Sequence, residues 1–466
     1  MDYTIENANK WIKEKQHTIN DYYRGVFHMQ PPIGWMNDPN GLVYFKDNFH
    51  LYYQFYPYDA STGAMHWGQF ISSDLISYTD ESVALAPTNQ DMETGCFSGS
   101  SIVIGDKNYI VYTNHFERDG IKKENQYMLF SNDGVIYQKI NHPVVDGSCL
   151  PPNISKEDFR DPVVYKINDS YYMFIGGKLI KENKGILLVF KSTNLEKFEF
   201  DFYFGPIKEF GDMLECPDYL KIDNKDIFIF SACNLPQEEN SYHNVNSSLY
   251  MVGKLDLENK TYVIESIREL DKGDAFYAPK MIANYDKHIM IAWMEMWGKD
   301  IPTIKWGHKW SGSFTFPREL SLKDNTIYQW PIDNIKNYYK ETKILCHQDV
   351  ISRHADITLK CKNDFILKFL NPNNDDLYVE IGKKNNHIYL DTTHSNNMNG
   401  FVRLNDDIIE SNFEIRILLD SSSIEIFINK GKETISSRIY LESKEYEVNL
   451  LGEGIETQIN FIERGK

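Results

Sequence analysis

The 466-residue chain contains no apolar run approaching the length of a membrane span, no paired Cys-x-x-Cys spacing and no excess of cationic residues, which number 49 against 67 acidic. Each absence removes a class of function. Without some ~20 consecutive apolar residues no spanning helix is expected. A formal net charge of −18 repels phosphate backbones and anionic lipid surfaces, so neither nucleic acid nor a membrane is an expected partner. The six cysteines, at 96, 149, 216, 233, 346 and 361, are scattered. They read as reduced, mostly buried thiols of a cytoplasmic protein rather than as disulfides or a zinc centre, and no metal and no cofactor is expected. The opening residues Met1 to Glu6 lack the cationic flank and apolar core of a secretory leader, which points to the same compartment. A glycine-rich loop of the P-loop type is also missing.

What is present is β-structure. Hydrophobic residues make up 42 % of the chain and aromatics 14 %, a bias toward strands and flat, ring-shaped ligands. The length suggests about two domains. A hairpin signal, two apolar or aromatic runs around a polar turn, recurs with turns near 47, 106, 169, 224 and 286. The spacing of roughly sixty residues suits a four-stranded sheet with its loops, so five copies predict five blades. A second marker runs in phase with the first: Ser-x-Asp/Asn turns at Ser72 to Tyr78, Ser131 to Tyr137 and Ser192 to Phe198. The expectation is an all-β chain, a five-bladed β-propeller over residues 26–334 followed by a β-sandwich over 335–466. The sandwich is read from short alternating strands such as Phe413 to Leu419 and Ser423 to Ile428. Residues 1–25 form an N-terminal extension, and the apolar spacing across 4–24 suits a short amphipathic helix.

A propeller brings the inner strand of every blade to one axis. Five polar or aromatic clusters lie just ahead of the hairpins: Trp35 to Gly41, Gly95 to Ser100, Phe159 to Pro162, Glu215 to Asp218, and Phe276 to Lys280. Three of them carry the carboxylates Asp38, Asp161 and Glu215. Any one of these clusters, taken alone, is explained by turn formation, because Asp-Pro pairs open turns and Asp218 could as well cap a loop. Their shared phase is what marks a site. Cleavage of a glycosidic bond needs one carboxylic acid to protonate the leaving oxygen and one carboxylate at the anomeric carbon. Cys216 beside Glu215 is read as packing, since no histidine accompanies it as a base.

The strings that hold these residues are specific. Trp35-Met36-Asn37-Asp38-Pro39-Asn40-Gly41, Phe159-Arg160-Asp161-Pro162 and Glu215-Cys216-Pro217-Asp218 resemble the three signatures of glycoside hydrolase family 32, the invertase and fructanase family. His66-Trp67-Gly68, Gly95 to Ser100, Phe316-Pro317-Arg318-Glu319-Leu320 and Asp420 to Phe427 are similar to further strings of that family. The resemblance implies a retaining β-fructofuranosidase with Asp38 as nucleophile, Asp161 as a stabiliser bound to fructose hydroxyls and Glu215 as acid/base. It also implies a fructose pocket lined by Asn37, Gln54, Trp67, Phe97, Ser98 and Trp293, with Arg160 tempering repulsion among the carboxylates. Like charge and burial are expected to raise the pKa of Glu215. The substrate is a small sugar, with sucrose, sucrose 6-phosphate and short fructans all open, and the sandwich could mediate a homodimer. Fructosyl transfer, an arabinose- or xylose-directed glycosidase and an inactive sugar-binding protein remain as alternatives. One departure stands out: Ala275 and Lys280 replace an acid and a glutamine common in the family. They are expected to make the pocket rim less acidic and to favour a phosphorylated leaving group.

Overall fold

The computed structural model describes the chain except residues 1, 79, 89–92, 385–386, 399, 405–411 and 464–466. Five antiparallel sheets of radial order come first. Their inner strands are Gly34–Phe45, Gly95–Ile104, Ile154–Ile167, Leu214–Ile222 and Tyr277–Met281, and each pairs with the next strand in sequence, the first four across a tight turn and the fifth across residues 282–288. This is the five-bladed propeller that the sixty-residue repeat predicts. The serine turns recur as the link between the third and fourth strands of blades 1 to 3. In blade 1 the Ser72 Oγ accepts from the Leu75 N–H at 2.8 Å, and Asp74 Oδ1 accepts from Ile76 and Ser77. Ser131 and Asp133 repeat this in blade 2 with Gly134, Val135 and Ile136. The side chains supply the acceptors that the tight backbone leaves unmet.

The apolar residues form separate seams between neighbouring blades rather than one centre. One seam joins blades 2 and 3 around Met128, Phe159, Met173 and Phe190; another joins blades 3 and 4 around Phe174, Leu214, Phe228 and Phe230. The ring is closed between blades 5 and 1. Trp310–Ser311 pairs in parallel with Gly34 and Trp35, and Leu42 and Tyr44 exchange backbone bonds with Ala283 at 2.8 and 2.9 Å. The amphipathic pattern at the start becomes helix Ile5–Lys15. Thr4 caps it by accepting from the Asn7 N–H at 3.1 Å, Lys13 and Lys15 lie in its last turn, and Ala8 and Ile12 are buried. Among the described residues no helix is long and apolar enough to cross a membrane.

Two six-stranded sheets follow, between Tyr339 and Ile462, and enclose their own core of Ile, Leu, Val and Phe. This is the sandwich. The cysteines are all free, but only Cys96, Cys216 and Cys361 are buried, while Cys149 and Cys346 are exposed on loops. The expectation of mostly buried thiols holds for half of them.

Candidate active site

Every inner strand carries a β-bulge at the same level. Pairing shifts between Met36 and Pro39, Cys96 and Gly99, Arg160 and Val163, Glu215 and Asp218, and Tyr277 and Lys280. In each case two residues oppose one on the partner strand, which kinks the inner strand and re-aims its side chains. The bulged pairs are Asn37-Asp38, Phe97-Ser98, Asp161-Pro162, Cys216-Pro217 and Ala278-Pro279. Asp161, Cys216 and Ala278 take left-handed φ values of 65°, 49° and 51°, each just ahead of its proline. Two of the three candidate carboxylates thus occupy bulges, and Glu215 directly precedes a third.

The structure brings the trio together. Cys216 Sγ lies 3.4 Å from both Asp38 Oδ2 and Asp161 Oδ2, so the two aspartates meet on one sulfur. Asp38 accepts from Ser98 Oγ at 2.7 Å and from Asn37 Nδ2 at 3.2 Å. Asp161 accepts from the Cys216 N–H at 2.8 Å, and its own N–H donates to Thr113 Oγ1 at 3.0 Å. Glu215 Oε1 receives Arg160 Nη2 at 2.8 Å and Nε at 3.2 Å, while Oε2 receives the Tyr277 hydroxyl. Arg160 is held from behind by Glu124, fully buried, at 3.3 Å.

These surroundings separate the three groups electrostatically. Burial raises Asp38, with Glu215 adding to the rise and Ser98 and Asn37 opposing it. Asp161 is pushed up to about 7, by burial first and by the charges of Glu215 and Asp38, against the pull of Arg160. Glu215 moves the other way. Burial raises it, but Arg160 and the Tyr277 hydroxyl favour its anion more and leave it below the ordinary range. The expected rise at Glu215 is not what these surroundings produce: Asp38 and Asp161 are the raised carboxyls and Glu215 is the lowered one. Burial and the neighbouring carboxylates hold the Cys216 thiol well above its usual range, which suits a packing group and not a nucleophile.

The remaining residues fall into two groups. Asn37 and Ser98 bind Asp38, and Gln54 lies across the bulge on the partner strand, its Nε2 donating to the Cys96 carbonyl at 2.9 Å, while Asn37 Oδ1 accepts from Trp35 Nε1 at 2.7 Å. Phe97 is partly exposed and lies flat on His115, 4.0 Å between centroids. Trp67 and Trp293 are fully buried. Trp67 Nε1 donates to the Phe97 carbonyl at 3.1 Å, and Trp293 packs on Trp35 and Trp297. Their apolar faces are spent inside the wall, because a closed propeller seam needs large rings to fill it. Three functional contacts escaped the sequence reading: Thr113, Glu124 and Tyr277. Thr113 and Glu124 are fully or nearly fully buried polar residues in the outer strands of blade 2, a placement that a hairpin pattern does not reveal. Tyr277 falls inside the fifth cluster, whose phase marked the axis.

The rim assigned to Ala275 and Lys280 does not exist. Ala275 is buried and gives its N–H to the Ser436 carbonyl at 3.2 Å, away from the trio. Asp274 pairs with Lys299 at 2.6 Å. Lys280 is 2 % exposed and donates to the Pro217 carbonyl at 2.7 Å. The bulge turns it inward, so it offers no surface charge to a leaving group.

Comparison with known proteins agrees with this geometry. Residues 28–331 match the glycosyl hydrolases family 32 N-terminal domain, and residues 336–462 match the family 32 C-terminal domain. A sucrose-6-phosphate hydrolase of Escherichia coli is 30 % identical over 479 aligned residues, covering 96 % of this chain and 95 % of that protein. A raffinose invertase of the same organism is 30 % identical and covers 91 % of each chain. Among solved structures, the Bombyx mori GH32 beta-fructofuranosidase superposes with a TM-score of 0.89 at 31 % identity, over 99 % of this chain and 98 % of that one. With both family domains matched in order, on a propeller whose axis gathers three carboxylates, the chain belongs to glycosyl hydrolase family 32 and is a glycosidase.

Proposed function

We propose that the chain hydrolyses terminal β-fructofuranosides of the sucrose type by double displacement, with Asp38 as nucleophile, Glu215 as general acid/base and Asp161 as the carboxylate that binds fructose hydroxyls. Relatives named sucrose-6-phosphate hydrolase, raffinose invertase and beta-fructofuranosidase support the substrate class, which includes sucrose and its 6-phosphate. Residues 26–334 hold the chemistry, and residues 335–466 brace it. The observation that carries the mechanism is the division of the trio. Asp38 and Asp161 converge on the Cys216 sulfur, whereas Glu215 is engaged by Arg160 and Tyr277.

In the first step Glu215 gives its proton to the bridging oxygen as the bond from that oxygen to the anomeric carbon breaks. An Asp38 oxygen bonds to the anomeric carbon from the face opposite the breaking bond, inverting it, and the remainder of the sugar leaves as a neutral alcohol. Arg160 and Tyr277 stabilise the Glu215 anion formed at that moment. In the second step this anion takes a proton from water, whose oxygen displaces Asp38 and frees fructose. Proton loading follows from the mutual repulsion of the three carboxyls, since the charge of Glu215 raises both aspartates. Sugar hydroxyls that donate to Asp38 and Asp161 favour their anions and transfer the shared proton to Glu215. Asn37, Gln54, Ser98 and Phe97 line the fructose site. Trp67 and Trp293 back it.

The test is a panel of sucrose, sucrose 6-phosphate and raffinose, with NMR of the fructose released at early times. The β-anomer appears first when two inversions occur; initial α-anomer would sink the double displacement. Asp38→Ala lowers turnover by roughly four orders of magnitude while circular dichroism stays that of the wild type.

A further inference from the structure

We propose that Lys280 is a positioning residue for the nucleophile, a buried cation that favours the ionised forms of Asp38 and Asp161. This rests on the reading of Asp38 as nucleophile. Lys280 follows the bulge of blade 5, at the register that Asp218 occupies in blade 4 and Val163 in blade 3. A lysine at 2 % exposure is unusual, because burying an ammonium costs several kcal/mol unless opposite charge meets it. Among the described residues its hydrogen bond goes to a neutral acceptor, the Pro217 carbonyl at 2.7 Å, and no carboxylate closes an ion pair on it.

The negative charge that answers Lys280 lies around Cys216-Pro217. Cys216 is the neighbour of the accepting carbonyl, and its sulfur touches Asp38 and Asp161 at 3.4 Å each. The charge of Lys280 is felt at that thiol, opposing the effect of the two aspartates. The titratable groups on the strands packed around it are Glu215, Cys216 and Asp218 on the inner strand of blade 4, and Cys233 on the strand behind it. Asp38 faces from blade 1, Arg160 and Asp161 from blade 3, and Tyr277 lies on its own strand. Asp218 is fixed by the Tyr165 hydroxyl at 2.7 Å and by the N–H groups of Tyr219 and Met281 at 2.8 Å, neutral donors that hold its carboxylate in place without cancelling its charge. Arg160 is committed to Glu215 and Glu124. Among the described residues Lys280 is the cation here that no carboxylate pairs with, and Cys216-Pro217 joins it to the Asp38–Asp161 pair.

The test uses the whole chain carrying Lys280→Met, Lys280→Gln or Lys280→Arg, with the pH profile of kcat/KM on whichever fructoside the wild type cleaves fastest. Removing a positive charge makes both aspartates easier to protonate, so the acidic limb moves up. A displacement of about half to one pH unit is expected for Met and Gln, and none for Arg. Methionine fits the volume without a charge to desolvate, so Lys280→Met folds even where glutamine strains the site. A role confined to bolting blade 5 onto blade 4 would lower the melting temperature and leave the limb where it is. An acidic limb that coincides with the wild type in both uncharged variants, or loss of folding in both, overturns the proposal. Absence of fructosidase turnover in the wild type would instead overturn the proposed function. In that case 13C-carboxyl titration of aspartate-labelled protein still reads the effect of Lys280→Met: unchanged aspartate midpoints reject it.

Discussion

At the residue scale, Tyr277 is the contact most exposed to experiment. Its hydroxyl donates to Glu215 Oε2 and receives Asn246 Nδ2 at 3.2 Å, so a strand from the middle of blade 4 helps aim the acid. In Tyr277→Phe the Glu215 anion loses a donor and its pKa rises. The general acid works in its protonated form, so the alkaline limb of the pH profile shifts to higher pH. Turnover falls by about tenfold, because the anion formed during bond cleavage is less well held. A pH series on purified Tyr277→Phe reads both; an alkaline limb displaced downward would contradict the role given to the phenol. Much of this site is legible from the residue order alone. Asp38, Asp161 and Glu215 betray themselves by phase, since one position in a repeat becomes one level on an axis. Thr113, Glu124 and the inward turn of Lys280 do not. Lys280 is turned by a bulge that changes which face a strand residue meets, while Thr113 and Glu124 are buried polar residues on strands behind the inner one, and hydrophobic alternation records neither.

At the scale of the element, the bulges succeed only where neighbouring backbones come close. Gly176 sits opposite Arg160 in blade 3, and an added Cβ there would stand 2.0 Å from the Leu214 carbonyl, immediately before Glu215. Gly176→Ala must therefore push the inner strand of blade 4 outward, because the obstacle is backbone and cannot rotate away. The expected result is a loss of about 2 kcal/mol of stability, read as a lower melting temperature, and a fall in turnover larger than that of a distant destabilising control. The same logic explains why the blades could be counted in advance while the seams could not. Hairpins are local and leave turn residues at fixed spacing, whereas Met128 and Phe159 meet across blades through a geometry that only the closed ring defines.

At the scale of the whole molecule, two strings that resemble family signatures away from the axis turn out to meet each other. His28 reaches from the start of the propeller, with Nδ1 at 2.8 Å from Asp420 and Nε2 at 2.7 Å from Glu425, both in the sandwich. Arg318 binds Glu425 and, at 3.0 Å, Asp271; every side chain in this cluster is buried. Both ring nitrogens of His28 face carboxylates, so the imidazole is doubly protonated. Burial alone would lower its pKa, but the two acids raise it from 6.5 to about 9. A group raised on folding contributes stability in full below its unfolded pKa and loses it as pH climbs through the folded one. The melting temperature of the wild type is thus expected to fall between pH 6.5 and 9, and His28→Gln to flatten that slope. Arg318→Leu strands Asp271 and Glu425 and costs about 3 to 5 kcal/mol, seen in a urea or thermal melt. The five bulges carry a different consequence, for how such a catalyst can change. Because Ala278 adopts the same left-handed turn before proline as Asp161 and Cys216, blade 5 already presents the same backbone at this level with only a methyl group on it. New chemistry could be installed there by one substitution, with no new backbone to invent, and a laboratory selection begun at Ala278→Asp or Ala278→His would have only the packed side chains around it to rearrange.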